Sequence, residues 1–480
     1  MRRLRKVKIL ATLGPSSNSE AIIESLFRAG ADVFRINMSH TDHGQLASLI
    51  AMIRAVETRV ARPIGVLVDL QGPKLRIGTF VQNSIVLAAG DTIRLDNSPL
   101  PGDNSRVHLP HPEIFAAIKK GDRLLLDDGK LELSCVQHKA GEIQCKVVVG
   151  GTLSNRKGIS LPDTLVGLRA LTEKDHADLN AALAQNIDWL ALSFVQRPED
   201  VIEVRQIVDG RAGVLAKIEK PQAVEQLEAI MRNADAVMIA RGDLGVEMPL
   251  ENVPGLQKRM IRLARRFGKP VVVATQMLES MIDSPVPTRA EVSDVSIAVF
   301  EGADAIMLSA ESASGAYPVE AVAMMNRVAI AVEHDALYPG IIRAQQTEPE
   351  RTASDAISAA TRQVAETLDL AAIVTYTSSG STGLRAARER PAKPIVALSP
   401  ILSTVRRLSL VWGLHCVQTE EAEELEGMIE KAGQIARREG FAQPRDRIAI
   451  TAGVPLGTSG TTNMLRIAYV EDHAPRRKPG

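Results

Sequence analysis

The sequence predicts an α/β protein: a (β/α)8 TIM barrel, a small β-barrel domain inserted into it, and an α/β domain towards the C-terminal end. Three observations carry that prediction. Eight short apolar runs alternate with helix-like segments. The alternation is interrupted once, over residues 71–159, by short runs of period two separated by Gly, Asp and Asn. After a polar stretch at 337–351, a second series of strands and helices begins, occupying 350–473.

Taken in order, VKILATL (7–13) reads as the first strand and residues 19–29 as a helix stopped by Gly30. Strand ADVFRIN, a helix over 42–58 and strand PIGVLVDL follow. From residue 71 the runs SIVLAAG, DTIRL, RLLLDDG and EIQCKVVVG show hairpin chemistry without helical period, so 71–159 reads as an all-β insert. Thr172 with Asp175 forms a capping-box pattern for a helix reaching 185. Strand DWLALSFV is followed by a helix opening at Pro198, where a first-turn proline is tolerated. Then come strand GVLAKIE, a helix over 222–232, strand AVMIAR, a helix over 255–267, strand PVVVATQ, a helix over 289–300, strand AIMLSAES and a helix over 318–334. The barrel thus takes 1–70 and 160–343; an open doubly wound sheet is the alternative arrangement. Residues 337–351 read as a linker, and 371–377, 394–399, 414–418, 447–451 and 465–470 as the strands of the last domain.

Composition narrows the class. Lysine plus arginine and aspartate plus glutamate number 57 each, and aromatic residues are 3 %, which argues against a nucleic-acid binder with basic or base-stacking surfaces. Cys135, Cys145 and Cys416 match no zinc spacing and no disulfide framework, so a reduced, cytoplasmic protein is expected. The basic start (Arg2, Arg3, Arg5, Lys6) is followed by too short an apolar run, broken by Lys8, for a secretory segment, and no run approaches a membrane span.

In such a barrel the active site lies at the C-terminal ends of the strands. Those ends carry Arg35, Asn37, Ser39 and His40, then Asp69, Ser193, Lys217 with Glu219, Arg241 with Asp243, Thr275, and Ser309 with Glu311. Capping and loop solvation explain one or two such residues, not all of them. Lys217 and Glu219 are two apart on a strand and so share a face. A charged pair within an apolar strand needs a partner, a metal or a ligand; a buried salt bridge between the two is the plain alternative. Glu219 and Asp243 supply two carboxylates, the set Mg²⁺ takes before filling its other positions with water and substrate oxygens. Lys217 beside such an ion would place two positive centres on a transferring phosphoryl group. The ARGDLG segment offers backbone N–H groups with glycines that allow close approach, while Walker-type and protein-kinase signatures are absent.

The segments RINMSH (35–40), VDLQGPKLR (68–76), DDGK (127–130), RKGISLP (156–162), AKIEKP (216–221), IARGDLGVE (239–247) and the long run 274–312 together resemble the pyruvate kinases. The resemblance spans essentially the whole chain, and is weakest in the insert and the C-terminal third. It implies transfer from phosphoenolpyruvate to ADP, giving pyruvate and ATP, with Mg²⁺ (Mn²⁺ as a substitute), a lid formed by the insert, a regulatory C-terminal domain and a homotetramer. In that family's terms Lys217 stabilises the phosphoryl group and enolate, and Glu219 and Asp243 hold Mg²⁺. Ser193, Arg241, Gly242, Asp243 and Thr275 lie about phosphoenolpyruvate, and Arg35 meets its phosphate. Asn37, His40, Arg76 and Lys157 meet the nucleotide. Thr275 or a nearby water is the expected route for the proton that reaches enolpyruvate.

Three positions depart from the family's common pattern. Members that require K⁺ hold it with groups corresponding to Asn37, Ser39, Asp69 and Leu70, the last in place of a common Thr, and carry Glu where this chain has Lys74. An ammonium there supplies the missing charge, so K⁺ independence is expected. Ser314 stands where many members place a lysine near the nucleotide. In the last domain TSSGST (Thr377, Ser378, Ser379, Gly380, Ser381, Thr382) resembles the family's effector-phosphate loop, and PLGTSGTTN (455–463) its second loop, which implies activation by a phosphorylated metabolite. Two other readings stay open: an aldolase-like enolate lyase, which would not need Lys157 or a lid, and a catalytically silent metabolite sensor.

Overall fold

The computed structural model describes residues 2–167, 169–422, 424–455 and 462–471. Among them, eight parallel strands close into a barrel: β1 (Lys8–Thr12), β2 (Val33–Asn37), β3 (Gly65–Asp69), β4 (Trp189–Leu192), β5 (Gly213–Ile218), β6 (Ala236–Ala240), β7 (Val271–Ala274) and β8 (Ala305–Leu308). Each strand neighbours the next, and β8 returns to β1 through the pairs Lys8↔Ala305 to Ala11↔Leu308. Both faces of these strands are buried, which is why they read as nearly unbroken apolar runs. Leu10, Val33, Leu67, Leu215, Met238 and Met307 fill the interior, while the alternate residues pack outward against the helices. The helices start on side-chain caps: Ser19, Asp42, Thr172 and Thr288 each accept a first-turn N–H. Gly30, at φ +146°, ends the first helix by donating to the carbonyls of Leu26 and Phe27.

Between β3 and β4 the chain builds a separate apolar core running from Leu75 to Val166. A two-stranded and a six-stranded sheet surround it. Cys135 and Cys145 face each other across paired strands of the larger sheet, and the three cysteines are free thiols. This segment is not wholly β: Pro112–Ala117 is helical, with its proline in the first turn and Ile114 and Phe115 in the core.

The last domain has strands β9 (Ala372–Tyr376), β10 (Ile395–Ser399), β11 (Leu414–Gln418), β12 (Arg447–Ala452) and β13 (Met464–Tyr469), in the order β11-β10-β9-β12-β13. Only β13 runs antiparallel to its neighbour. The domain stops the bottom of the barrel. Leu410 joins the barrel interior, Lys8 Nζ donates to the Leu414 carbonyl at 2.7 Å, and Trp189 Nε1 donates to the Arg407 carbonyl at 3.2 Å. Arg390 pairs with Asp304 at 3.0 Å and Arg406 with Glu57, all four side chains being largely buried.

Two expectations change. Residues 337–351 are not all linker: Tyr338–Ala344 is a helix, because Pro339 sits in its first turn where no N–H is needed, and Tyr338 and Ile342 are buried. The helix expected over 222–232 breaks at Gln226 into Pro221–Glu225 and Leu227–Asn233. Among the described residues no helix is long and apolar enough to cross a membrane.

Leu410 is fully buried beneath the barrel, so Leu410→Ala should cost about 2–5 kcal/mol in urea unfolding followed by circular dichroism. An unshifted midpoint would contradict its role as the stopper of the barrel floor.

Candidate active site

The upper ends of β2, β3 and β5 bring two cations and two carboxylates together, with Ser193 from the end of β4. Asp69 is fully buried, and both Nε and Nη2 of Arg35 lie 2.7 Å from its Oδ2. Lys217 Nζ stands 3.4 Å from Asp69 Oδ1 and 3.4 Å from Glu219 Oε2, and donates to Ser193 Oγ at 2.7 Å. Ser193 Oγ in turn donates to the Leu70 carbonyl at 2.7 Å. Burial by itself pushes the Lys217 pKa down, but the Asp69 and Glu219 carboxylates outweigh it and hold the ammonium above its ordinary range. Burial likewise pushes Asp69 up, and Lys217 with Arg35 reverses the sign, so it stays below the usual carboxylate range.

Glu219 is different. Burial, reinforced by the like charge of Asp243, raises its pKa to about 6 despite the opposing effect of Lys217. Its Oε1 accepts the N–H of Phe194 at 2.6 Å, whereas its Oε2 is buried without a hydrogen-bond partner. Asp243 lines the same cleft, from helix α1 (Arg241–Glu247) that follows β6. A desolvated carboxylate oxygen that accepts no hydrogen bond, beside a second carboxylate, fits a hard divalent cation. Among the described residues no group of three or more His, Cys, Asp or Glu side chains is arranged to hold a metal, so the protein's share would be these two carboxylates, as is usual for Mg²⁺.

Across the mouth, β7 ends in a strained turn. Thr275 and Gln276 have φ of +69° and +54°, outliers for a β-branched residue above all. Thr275 Oγ1 donates to the Ala274 carbonyl at 2.6 Å and accepts the Gly242 N–H at 2.7 Å, joining β7 to α1. Arg241 reinforces the turn from below: Nη2 donates to the Thr275 carbonyl at 2.6 Å and Nη1 meets Asp294 at 2.6 Å. Its guanidinium is therefore committed to the protein. Glu311, past β8, does similar work, accepting the N–H groups of Ser309 and Leu278.

The remaining expected residues are more dispersed. Asn37 Oδ1 accepts the Ser39 N–H, and Ser39 and His40 are exposed at the rim. Lys74 is exposed but lies in the wall of the cleft that contains Glu219 and Asp243. From the insert, Arg76 donates to the Arg156 carbonyl at 2.8 Å, and Lys157 is paired with Asp127 at 2.7 Å. Ser314 is exposed and only loosely tied to the Ala310 carbonyl. In the last domain Gly380, at φ +94°, donates to Thr377 Oγ1, and Thr382 Oγ1 meets Thr462 Oγ1 at 2.9 Å. Ser379 and Ser381 bond each other at 3.2 Å, and the Ser378 carbonyl accepts from Thr404. Most of the second loop, 456–461, lies outside the described residues.

Phe194, Lys220 and Glu247 escaped the sequence reading. Their role depends on a left-handed backbone at Phe194 and on packing between strand ends, and neither has a sequence signal. Of the three, Lys220 alone has a local signal, a third charge directly after the pair in AKIEK.

Comparison with known proteins points to one family. Residues 4–322 match the family model of the pyruvate kinase barrel domain, and 355–468 that of the pyruvate kinase alpha/beta domain. A pyruvate kinase of Methylorubrum extorquens is 58 % identical over 99 % of this chain and all of its own length. One of Agrobacterium vitis is 46 % identical over 97 % of this chain and 99 % of its own. The crystal structure of a pyruvate kinase from Cryptosporidium parvum superposes with a TM-score of 0.92 at 32 % identity, covering 97 % of this chain and 96 % of that one.

Proposed function

The chain belongs to the pyruvate kinase family of phosphotransferases, and from that premise we propose that it moves a phosphoryl group from phosphoenolpyruvate to ADP at the mouth of its barrel. The observation that carries this reading is the pairing of a buried ammonium, Lys217, with a buried carboxylate, Glu219, whose facing oxygen accepts no hydrogen bond. Glu219 and Asp243 would hold Mg²⁺, or Mn²⁺ in its place. When bound, the ion supplies positive charge to the oxygens of the substrate. Lys217 supplies a second, fixed positive centre where charge develops on the phosphoryl group and on the enolate oxygen. Arg35 binds the phosphate, releasing part of its hold on Asp69. Gly242 and Thr275 orient the carboxylate end, and the Thr275 hydroxyl or a neighbouring water delivers the proton to the enolate carbon. Asn37, His40, Arg76 and Lys157 receive the nucleotide, with the 71–159 segment closing as a lid.

Three finer readings complete the proposal. Lys74, a cation in the cleft wall, takes the place of K⁺ beside Asn37, Ser39, Asp69 and Leu70, so turnover proceeds without a monovalent cation. The loop from Thr377 to Thr382 at the start of α2 (Ser381–Arg388) binds the phosphate of an activating metabolite. The chain works in the cytoplasm as a homotetramer.

The direct test is pyruvate formation from phosphoenolpyruvate and ADP in K⁺-free buffer. Turnover with Mg²⁺, abolished by EDTA and restored by added Mg²⁺ or Mn²⁺, is the expected result; no turnover with either metal, with or without K⁺, would refute the assignment. Lys217→Met should lower kcat by about 10³-fold or more, as expected for loss of a charge aimed at the transferring group. Lys74→Glu should create a K⁺ requirement, and an unchanged cation profile would refute the substitution of K⁺ by Lys74. Sugar phosphates and nucleoside monophosphates should lower the half-saturating phosphoenolpyruvate concentration, an effect that Thr382→Ala weakens; a screen with no effect would refute the effector loop.

A further inference from the structure

Phe194 lies one residue beyond Ser193, outside the chemistry proposed above, yet its backbone governs a metal ligand. Its φ is +57°, unusual for a bulky residue, and the resulting turn aims its N–H at Glu219 Oε1, 2.6 Å away. That bond fixes one carboxylate oxygen and leaves Oε2 without a hydrogen bond, its ion-pair neighbour being Lys217 Nζ at 3.4 Å. The ring in turn is held by Lys220, whose Nζ stands 5.3 Å from the ring centroid, within cation–π range. The ammonium is ion-paired with Glu247, whose side chain is almost wholly buried. Phe194, Lys220, Glu247, Glu219 and Asp243 all line one small cleft.

The ring also meets the route into the inserted domain. Gly72, in the QGPK segment by which the chain leaves β3, has φ +69° and passes so close that a Cβ there would stand 2.6 Å from Phe194 Cδ2. Its N–H is anchored on Asp175 at 3.0 Å. Glycine is required on both counts.

We propose that Lys220 is a positioning residue for Glu219: clamped by Glu247, it holds the Phe194 ring, and Phe194 holds the carboxylate in the orientation that presents Oε2 to the cation. The contact with Gly72 makes the same ring the point where the lid hinge bears on the metal site. The inference rests on Glu219 being a cation ligand. Groups that orient metal ligands without touching the metal are worth about 10–100-fold in affinity.

The test is Mn²⁺ binding to the full chain without substrates, read from the electron paramagnetic resonance of free Mn²⁺, together with kcat at saturating metal. Lys220→Met should weaken Mn²⁺ binding about tenfold or more while leaving kcat at saturating metal within about threefold, and Lys220→Arg, which keeps both the ion pair and the ring contact, should restore affinity to within about threefold. Wild-type Mn²⁺ affinity in Lys220→Met, or failure of Lys220→Arg to restore it, would overturn the proposal. Should Lys220→Met strand the buried Glu247 charge and fail to fold, the pair Lys220→Met with Glu247→Gln removes that charge, and wild-type affinity in it is equally fatal. Glu219→Gln separates this idea from its premise: unchanged Mn²⁺ binding there refutes Glu219 as a ligand, whereas loss there with retention in Lys220→Met refutes the brace alone. Gly72→Ala should also weaken binding; unchanged affinity would remove the hinge from the proposal.

Discussion

Charge buried at the mouth of an apolar barrel is tolerable only if it is compensated, because an unpaired ion in such a place costs several kcal/mol even after relaxation. The rest of the site follows from that constraint. Asp69 is answered by Arg35 and Lys217, and Lys217 by Asp69, Glu219 and Ser193. At Glu219 the compensation is incomplete: one oxygen accepts no hydrogen bond, and burial together with Asp243 raises its pKa. An incomplete charge network is poor stabilisation and a good binding site, since a divalent cation would complete it. The barrel therefore bears a local instability that a bound cation would relieve.

The architecture keeps this region from relaxing. Strain at Phe194 and at Thr275–Gln276 sits on opposite sides of the mouth, each at the end of a strand fixed in register by its neighbours. Arg241 and Glu311 tie the adjacent turns down. Below, the last domain closes the barrel floor through Leu410, the Arg390–Asp304 pair and the Arg406–Glu57 pair. The inserted domain has its own core, and its Asp128 and Ser160 line one cleft with Glu219 and Asp243.

Much of this was legible from residues alone. Strict alternation of apolar runs and helical segments gave eight strands, because a parallel barrel buries both faces of each strand and a crossover helix must follow. The capping pattern at Thr172 gave a helix start, since the signal is local. The helix Tyr338–Ala344 was hidden because a proline and a glycine within seven residues look like a linker until tertiary burial of Tyr338 and Ile342 supports them.

For the site, the sequence by itself determined which chemical groups stand at the strand ends: Lys217 and Glu219 two apart, Asp69 closing β3, Asp243 after a glycine. Strand periodicity fixes which face a side chain takes, so their convergence followed from the fold. Only the tertiary structure decided how those groups are used. It turned Arg241 into a support for Thr275, set Asp69 between two cations, and brought Phe194, Lys220, Glu247 and Gly72 around Glu219. Those outcomes depend on backbone angles and on contacts between residues far apart in the chain, and no local pattern of residue types encodes either.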